Sequence, residues 1–202
     1  MTFKYVDKPE VFIGLGDEET PCDLCHQQKP CFDAAAFFGE EEMAWICPDC
    51  LANGRLYERD SYTCQGDVME LKRQLKALNP ALTKADIEDL ADQKTLELEK
   101  TTPHLITWQD WEWPCADGDY ARFIGYGSRP FYQHLAGGSD AESFFKKSID
   151  YAQNEAPNPD ELWEDVPKKS INNYADSSEY STLFYVFKSL HSDRIITLWD
   201  SA

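Results

Sequence analysis

Cations are scarce in this chain. Its 202 residues hold 19 Lys and Arg against 37 Asp and Glu, a net charge of −18. The deficit is even, with net −10 over residues 1–100 and −8 over 101–202. A field of that sign repels nucleic acid and anionic membranes and draws basic partners from a distance. No run of 18 apolar residues exists, which excludes a transmembrane helix. The opening Met1–Pro9 lacks the apolar stretch of a secretory leader, so the expectation is a cytoplasmic protein with reduced thiols. Neither a Gly-rich phosphate loop nor a Gly-x-Ser-x-Gly elbow is present. The four histidines, His26, His104, His134 and His191, fall in no metalloprotease spacing. Nothing in these patterns asks for an enzyme.

What stands out against this background is a pair of Cys-x-x-Cys knuckles. Cys22-Asp-Leu-Cys25 and Cys47-Pro-Asp-Cys50 are separated by 21 residues, just past the usual window of about 15–20. Each knuckle presents two thiolates to one ion, and two knuckles complete a tetrahedral zinc site. A shell of four cysteines leaves no position for water, so the site reads as structural, its binding energy acting as folding energy. His26 and Cys31 are substitute ligands. A redox dithiol is the competing reading. Asp23 and Asp49 inside the knuckles oppose it, because reactive thiols need a positive environment. A third reading leaves the four cysteines metal-free and buried. Cys64 and Cys115 stand alone in sequence and read as small core residues.

The chain predicts an α+β fold in which a small N-terminal zinc-ribbon-like module, residues 1–65, packs on a mixed strand and helix domain, residues 66–202. One continuous domain is the alternative. Phe3–Val6 and Met43–Ile46 are strand candidates of the module. Val68, Leu71, Leu75 and Leu78 mark one face of a helix over 67–78. Thr83 and Asp86 make a capping-box-like start for a second helix, ended by Thr102-Pro103. Trp108, Trp111 and Trp113 follow within six residues. In a strand, Trp111 and Trp113 share a face, either as a packed core edge or as an aromatic contact surface. Ala121–Tyr126 reads as a strand, and 140–153 as a helix capped by Ser139 with Glu142. Residues 154–170 read as an acidic loop broken by prolines. Ser181–Leu190 and Arg194–Trp199 read as a closing β-hairpin.

Separated segments carry a family resemblance. Phe3-Lys4-Tyr5, the first knuckle and Cys47-Pro-Asp-Cys50-Leu51-Ala52-Asn53-Gly54 resemble the opening of the CbrC family. Thr102-Pro103, Trp108-Gln109, Trp113, Cys115 and Phe123-Ile124-Gly125-Tyr126 resemble its centre. Phe187-Lys188-Ser189-Leu190-His191-Ser192 resembles its C-terminal Phe-Arg-Cys-Leu-His-Cys segment. Residues 128–180 match poorly. Ser189 and Ser192 replace the family's cysteines, and Pro114 stands where relatives tend to have His. Any metal site those residues build in relatives is not expected here. The resemblance implies a bacterial protein linked to colicin tolerance, hence protection against a protein toxin. The acidic charge fits that role, because nuclease toxins are basic.

The resulting expectation is a non-enzymatic immunity protein that occludes a basic toxin, such as a nuclease domain, with no nucleic-acid or membrane partner. Asp160, Glu161, Trp163, Glu164 and Asp165 are the candidate contact, because they join acid to a tryptophan that reads as exposed. The rival expectation is a metal-dependent enzyme or regulator with the zinc module as scaffold.

Overall fold

The computed structural model describes residues 2–16, 19–149 and 158–202. The N-terminal third builds almost no regular structure. Three antiparallel pairs of two-residue strands hold it: Thr20–Pro21 with Gln28–Lys29, Phe32–Asp33 with Trp45–Ile46, and Phe38–Gly39 with Ser61–Tyr62. Pairs this short have little stability of their own. They therefore need a cross-link and a shared core. Phe3–Val6 is not a strand, contrary to expectation. Its backbone runs beside Arg122–Tyr126 through a single parallel bridge, Val6 to Phe123. There Phe123 N–H donates to Tyr5 O and Asp7 N–H to Phe123 O, each at 2.8 Å.

Both expected helices form. Asp67 caps Val68–Leu78 by accepting from Glu70 N–H at 2.9 Å. Lys84–Thr101 starts with a full capping box, Thr83 and Asp86 each bonding the other's backbone N–H. Leu71 and Leu75 from the first helix, and Ile87, Ala91 and Leu98 from the second, are buried.

The closing hairpin, Thr182–Lys188 with Ile195–Ser201, gains Arg122–Tyr126 as a third antiparallel strand on its other side. Leu183–Phe187 is buried at every position, because both faces of this central strand are covered. The period of two divides its side chains. Leu183, Tyr185 and Phe187 enter the main buried cluster, and Phe184 and Val186 enter a second one. The main cluster also takes Phe3, Tyr5, Phe32, Ile46 and Leu51 from the first 65 residues. A register shift falls between Val186 and Phe187, opposite Gly125. Gly125 has φ +140°, a conformation that strains any other residue, and a Cβ there would also press on the Phe12 ring at 3.1 Å.

The tryptophan run is not a strand either. Trp113 makes one bridge to Gly66. Trp111 and Trp113 nonetheless pack together on Phe187, at ring distances of 5.8 and 5.3 Å, while Trp108 stays 43% exposed.

Two further corrections concern the acidic region. The third helix spans Ala141–Ser148, and its cap is Asp140, which accepts from Ser143 N–H, not Ser139. The helix starts one residue later than expected, which puts Asp140 at the N-cap, within reach of the Ser143 N–H three residues on. Ile149 is extended and bridges Thr197, and 150–153 lie outside the described residues. Of the expected loop, 154–157 lie outside the described residues, and Pro159–Asp165 is a helix. Pro159 sits in its first turn and Asn158 caps it, so the proline that reads as a breaker is an initiator. Arg129–Leu135 is an additional helix, capped by Ser128. Among the described residues, no helix is long and apolar enough to cross a membrane.

Candidate metal centre

The first knuckle occupies the turn between Thr20–Pro21 and Gln28–Lys29. The turn closes through His26 N–H donating to Cys22 O at 2.8 Å, with His26 in the left-handed region at φ +58°. The second knuckle starts the Pro48–Ala52 helix: Cys47 is its N-cap, Pro48 its first residue, and Cys50 lies one turn on. Asp23 ties the two together. Its Oδ2 accepts from Ala44 N–H at 2.7 Å and Trp45 N–H at 3.0 Å, and its own N–H donates to Trp45 O at 2.9 Å. The aspartate inside the knuckle thus has a structural task that its spacing does not announce.

The result is a convergence of Cys22, Cys25, Cys47 and Cys50, all four sulfurs within 4.8 Å of one another. Cys25 Sγ and Cys47 Sγ are 3.8 Å apart. Among the described residues this is the one group of three or more His, Cys, Asp or Glu side chains so arranged. His26 is exposed and stands outside the group. Cys31 is buried but directs its thiol to Thr20 O at 3.8 Å. The expected four residues are brought together, and the two substitutes are not.

Electrostatics at the group is divided. Burial disfavours the Cys22 thiolate, but N–H groups of Cys47, Cys25 and Leu24 outweigh it and lower the thiol to about 7. The Cys47 N–H is 3.3 Å from that sulfur. Burial raises Cys47, and burial with the neighbouring sulfurs raises Cys50 strongly. Four crowded sulfurs cannot all ionise unaided; a cation bound among them would supply the missing charge. Lys29 Nζ, on the strand after the first knuckle, sits 2.7 Å from Asp49 inside the second.

The acidic candidates lie on the Pro159–Asp165 helix. Asp160, Glu161, Glu164 and Asp165 are exposed. Trp163 is not: it is 8% exposed and belongs to the second buried cluster. Its ring packs on Phe145 at 5.4 Å and Tyr132 at 6.4 Å, beneath the Arg129 guanidinium at 4.9 Å. The reading of Trp163 as an exposed anchor is therefore corrected. With the segment helical, Leu162, Trp163 and Val166 turn inward and the acids outward. Glu164 and Asp160 pair with Arg129 and Lys146 respectively.

Two polar networks were not legible in the sequence. Asp119, with its side chain 4% exposed, takes Lys94 Nζ at 2.7 Å and Lys4 Nζ at 3.5 Å, and Tyr5 O–H donates to it at 3.2 Å. Burial opposes its ionisation, yet the two lysines outweigh burial and hold it below the usual carboxylate range. Ser189 and Ser192 both donate to Asp117 Oδ2 at 2.6 Å. These serines are thus occupied with a carboxylate. The partners lie 72 and 75 residues apart, a distance over which spacing carries no signal.

A family model described as "Uncharacterised protein family (UPF0167)" matches residues 1–201. A UPF0167 protein of Mycobacterium bovis and one of Mycobacterium tuberculosis are each 27% identical over 127 residues, 61% of this chain and 58% of the relative. The match thus spans less than two thirds of those relatives' length. No solved structure matches the chain.

Proposed function

The chain belongs to the UPF0167 family, and from that premise we propose a cytoplasmic, zinc-stabilised, acidic binding protein that occludes a basic protein partner. The zinc assignment rests on the donor set. At a Zn–S length of ≈2.3 Å a tetrahedron places its sulfurs ~3.8 Å apart. The Cys25–Cys47 separation of 3.8 Å fits, and the remaining sulfurs lie within 4.8 Å. Zinc held by Cys22, Cys25, Cys47 and Cys50 supplies a cross-link between two knuckles that two-residue strands hold poorly. A closed sulfur shell has no site for substrate, so the metal stabilises the fold rather than acting in catalysis.

The observation that carries the binding role is the exposed acid row on Pro159–Asp165, in a chain of net charge −18. The helix is fastened to the core by Leu162 and Trp163, so its four carboxylates are held on a rigid support, with Asp160 and Glu164 in surface ion pairs with Lys146 and Arg129. Such a face steers a cationic surface toward it and limits wrong partners by repulsion. The resemblance to the CbrC family supports a toxin-neutralising partner, a basic nuclease domain being the best charge match. Affinity capture from the native host, at low salt and at about 0.3 M salt, tests this. One basic polypeptide retained near one-to-one at the higher salt is the expected result, because contacts held only by surface charge are screened there. Recovery of no stoichiometric partner at either salt refutes it.

A further inference from the structure

The first residues of the chain, the segment after the second knuckle and the Lys84–Thr101 helix together line a cleft. Phe3 and Lys4 form one side, Ala52, Gly54 and Tyr57 a second, and Glu97 a third. Its free volume is about 340 Å³, at the lower end of the ~300–1,000 Å³ usual for small-molecule sites. A small ligand fits and a cofactor-sized one does not. Phe3, Ala52 and the Tyr57 ring give the cleft apolar surface. Gly54 sets the place of that ring. It has φ +68°, and a Cβ there would lie 2.5 Å from the Tyr57 ring, so only bare backbone lets the ring sit so close. Tyr57 is still 47% exposed, which leaves ring surface for a ligand.

Two opposite charges give the cleft its chemistry. Lys4 Nζ is 2.7 Å from Glu97 Oε2, and the two side chains are 35% and 41% exposed, so both remain within reach of a ligand. Each is steadied from behind. The Lys4 ammonium lies 4.6 Å over the Tyr5 ring and 3.5 Å from the buried Asp119, and the Tyr5 hydroxyl is 3.1 Å from Glu97 Oε2. The pair is thus a held dipole on the cleft wall. Burial and Glu97 raise the Tyr57 hydroxyl while Lys4 lowers it, so the phenol feels both charges and keeps its proton to donate.

A ligand that meets both charges favourably must carry both signs at a matching separation. In an α-amino acid, two bonds of about 1.5 Å part the ammonium nitrogen from the carboxylate carbon, which sets them about 2.5 Å apart. Laid antiparallel beside the pair, such a molecule faces each charge with its opposite, and the Lys4–Glu97 contact need not break. A ligand of one sign gains one of these contacts and is repelled by the other charge. The Tyr57 face adds a second attraction for the ammonium. We infer that this cleft binds a free α-amino acid with an apolar side chain, its carboxylate on Lys4, its ammonium on Glu97 and its side chain against Phe3, Ala52 and Tyr57. The inference goes beyond the partner-binding role proposed above and uses neither the acidic helix nor the metal.

The test is an NMR titration of the full chain with L-leucine, L-leucinamide, which lacks the carboxylate, and N-acetyl-L-leucine, which lacks the ammonium. Leucine is expected to bind at least about tenfold tighter than either, the worth of one charge-assisted hydrogen bond, with shifts centred on Lys4, Tyr57 and Glu97. Lys4→Met should bring leucine down to the affinity of leucinamide, and Glu97→Gln to that of N-acetyl-leucine. Should these variants fail to fold, trans-4-aminocyclohexanecarboxylate on the native chain decides. Its rigid ring holds the two charges too far apart to face Lys4 and Glu97 together, so it should bind at least about tenfold weaker than leucine. Equal affinity for leucine and either singly charged control, shifts centred elsewhere, no shifts at about 20 mM leucine, a rigid spaced zwitterion that binds as tightly as leucine, or unchanged discrimination in a folded Lys4→Met or Glu97→Gln would each overturn the inference.

Discussion

Trp163→Ala should cost the protein stability before it costs any contact with a partner. Trp163 is 8% exposed and packs on Phe145, Tyr132 and the Arg129 guanidinium. Removing a buried aromatic of this size typically costs about 3–5 kcal/mol. The stacked guanidinium adds about 0.5–1 kcal/mol, being still partly in water. A domain of this length melts roughly 2–4 °C lower per kcal/mol, so the expected fall is on the order of 10–15 °C. Trp163→Phe keeps a ring against Phe145 and should recover most of that loss. Thermal melts of both variants, with binding measured well below the lower midpoint, separate the roles. Loss of support also loosens the Pro159–Asp165 helix, so partner association should weaken only in proportion to unfolding. A Trp163→Ala protein that melts like the native chain but loses its partner would refute the burial account and restore an exposed anchor.

Three further outcomes follow from the same geometry. Glu161, Glu164 and Asp165 all changed to Ala should leave the melt unchanged and slow partner association roughly tenfold at low salt; equal association rates in stopped flow would remove this helix from the interface. Cys22→Ser or Cys50→Ser should abolish metal retention on dialysis and cost hydrogen-exchange protection mostly within residues 1–65; uniform loss across the chain would contradict a locally acting cross-link. Asp119→Ala should destabilise by about 2–3 kcal/mol, less than a fully buried pair because Lys94 and Lys4 keep some contact with water. The Asp119 pKa lies below its ordinary value in the fold, so the unfolded chain takes the proton first as pH falls. Its stabilisation is complete above about pH 4 and drains away below that value. Denaturant midpoints of the native chain and Asp119→Asn should therefore converge in acid, and a constant gap would refute the linkage.

How much could be read from the sequence depended on the range of the interaction that fixed each feature. The Thr83–Asp86 capping box is an i,i+3 contact, and it formed as its spacing says. The two knuckles also carry their geometry within four residues each, and Asp23, bonded to Ala44 and Trp45 just before the second knuckle, draws them together. The closing hairpin was marked by two β-rich runs flanking the short His191–Asp193 segment. Phe3–Val6 has strand composition, but its place beside Phe123 is set by residues more than a hundred positions away. Composition misled most at Pro159–Asp165. Prolines and acids read as an open loop, whereas Asn158-Pro159 starts a helix whose inward residues, Leu162 and Trp163, complete a cluster supplied by Phe184 and Val186. The Asp117–Ser189–Ser192 and Asp119–Lys94 networks depend wholly on the fold, and no local pattern marks them.

The proposed sulfur-only coordination of one zinc ion by Cys22, Cys25, Cys47 and Cys50 would give the sequence motif its fold-stabilising role. X-ray absorption at the zinc edge on protein purified without added metal tests it most directly. One zinc per chain with four sulfur neighbours at about 2.3 Å is the predicted result. A folded chain without metal, or a shell with nitrogen or oxygen in place of any of Cys22, Cys25, Cys47 and Cys50, would contradict it.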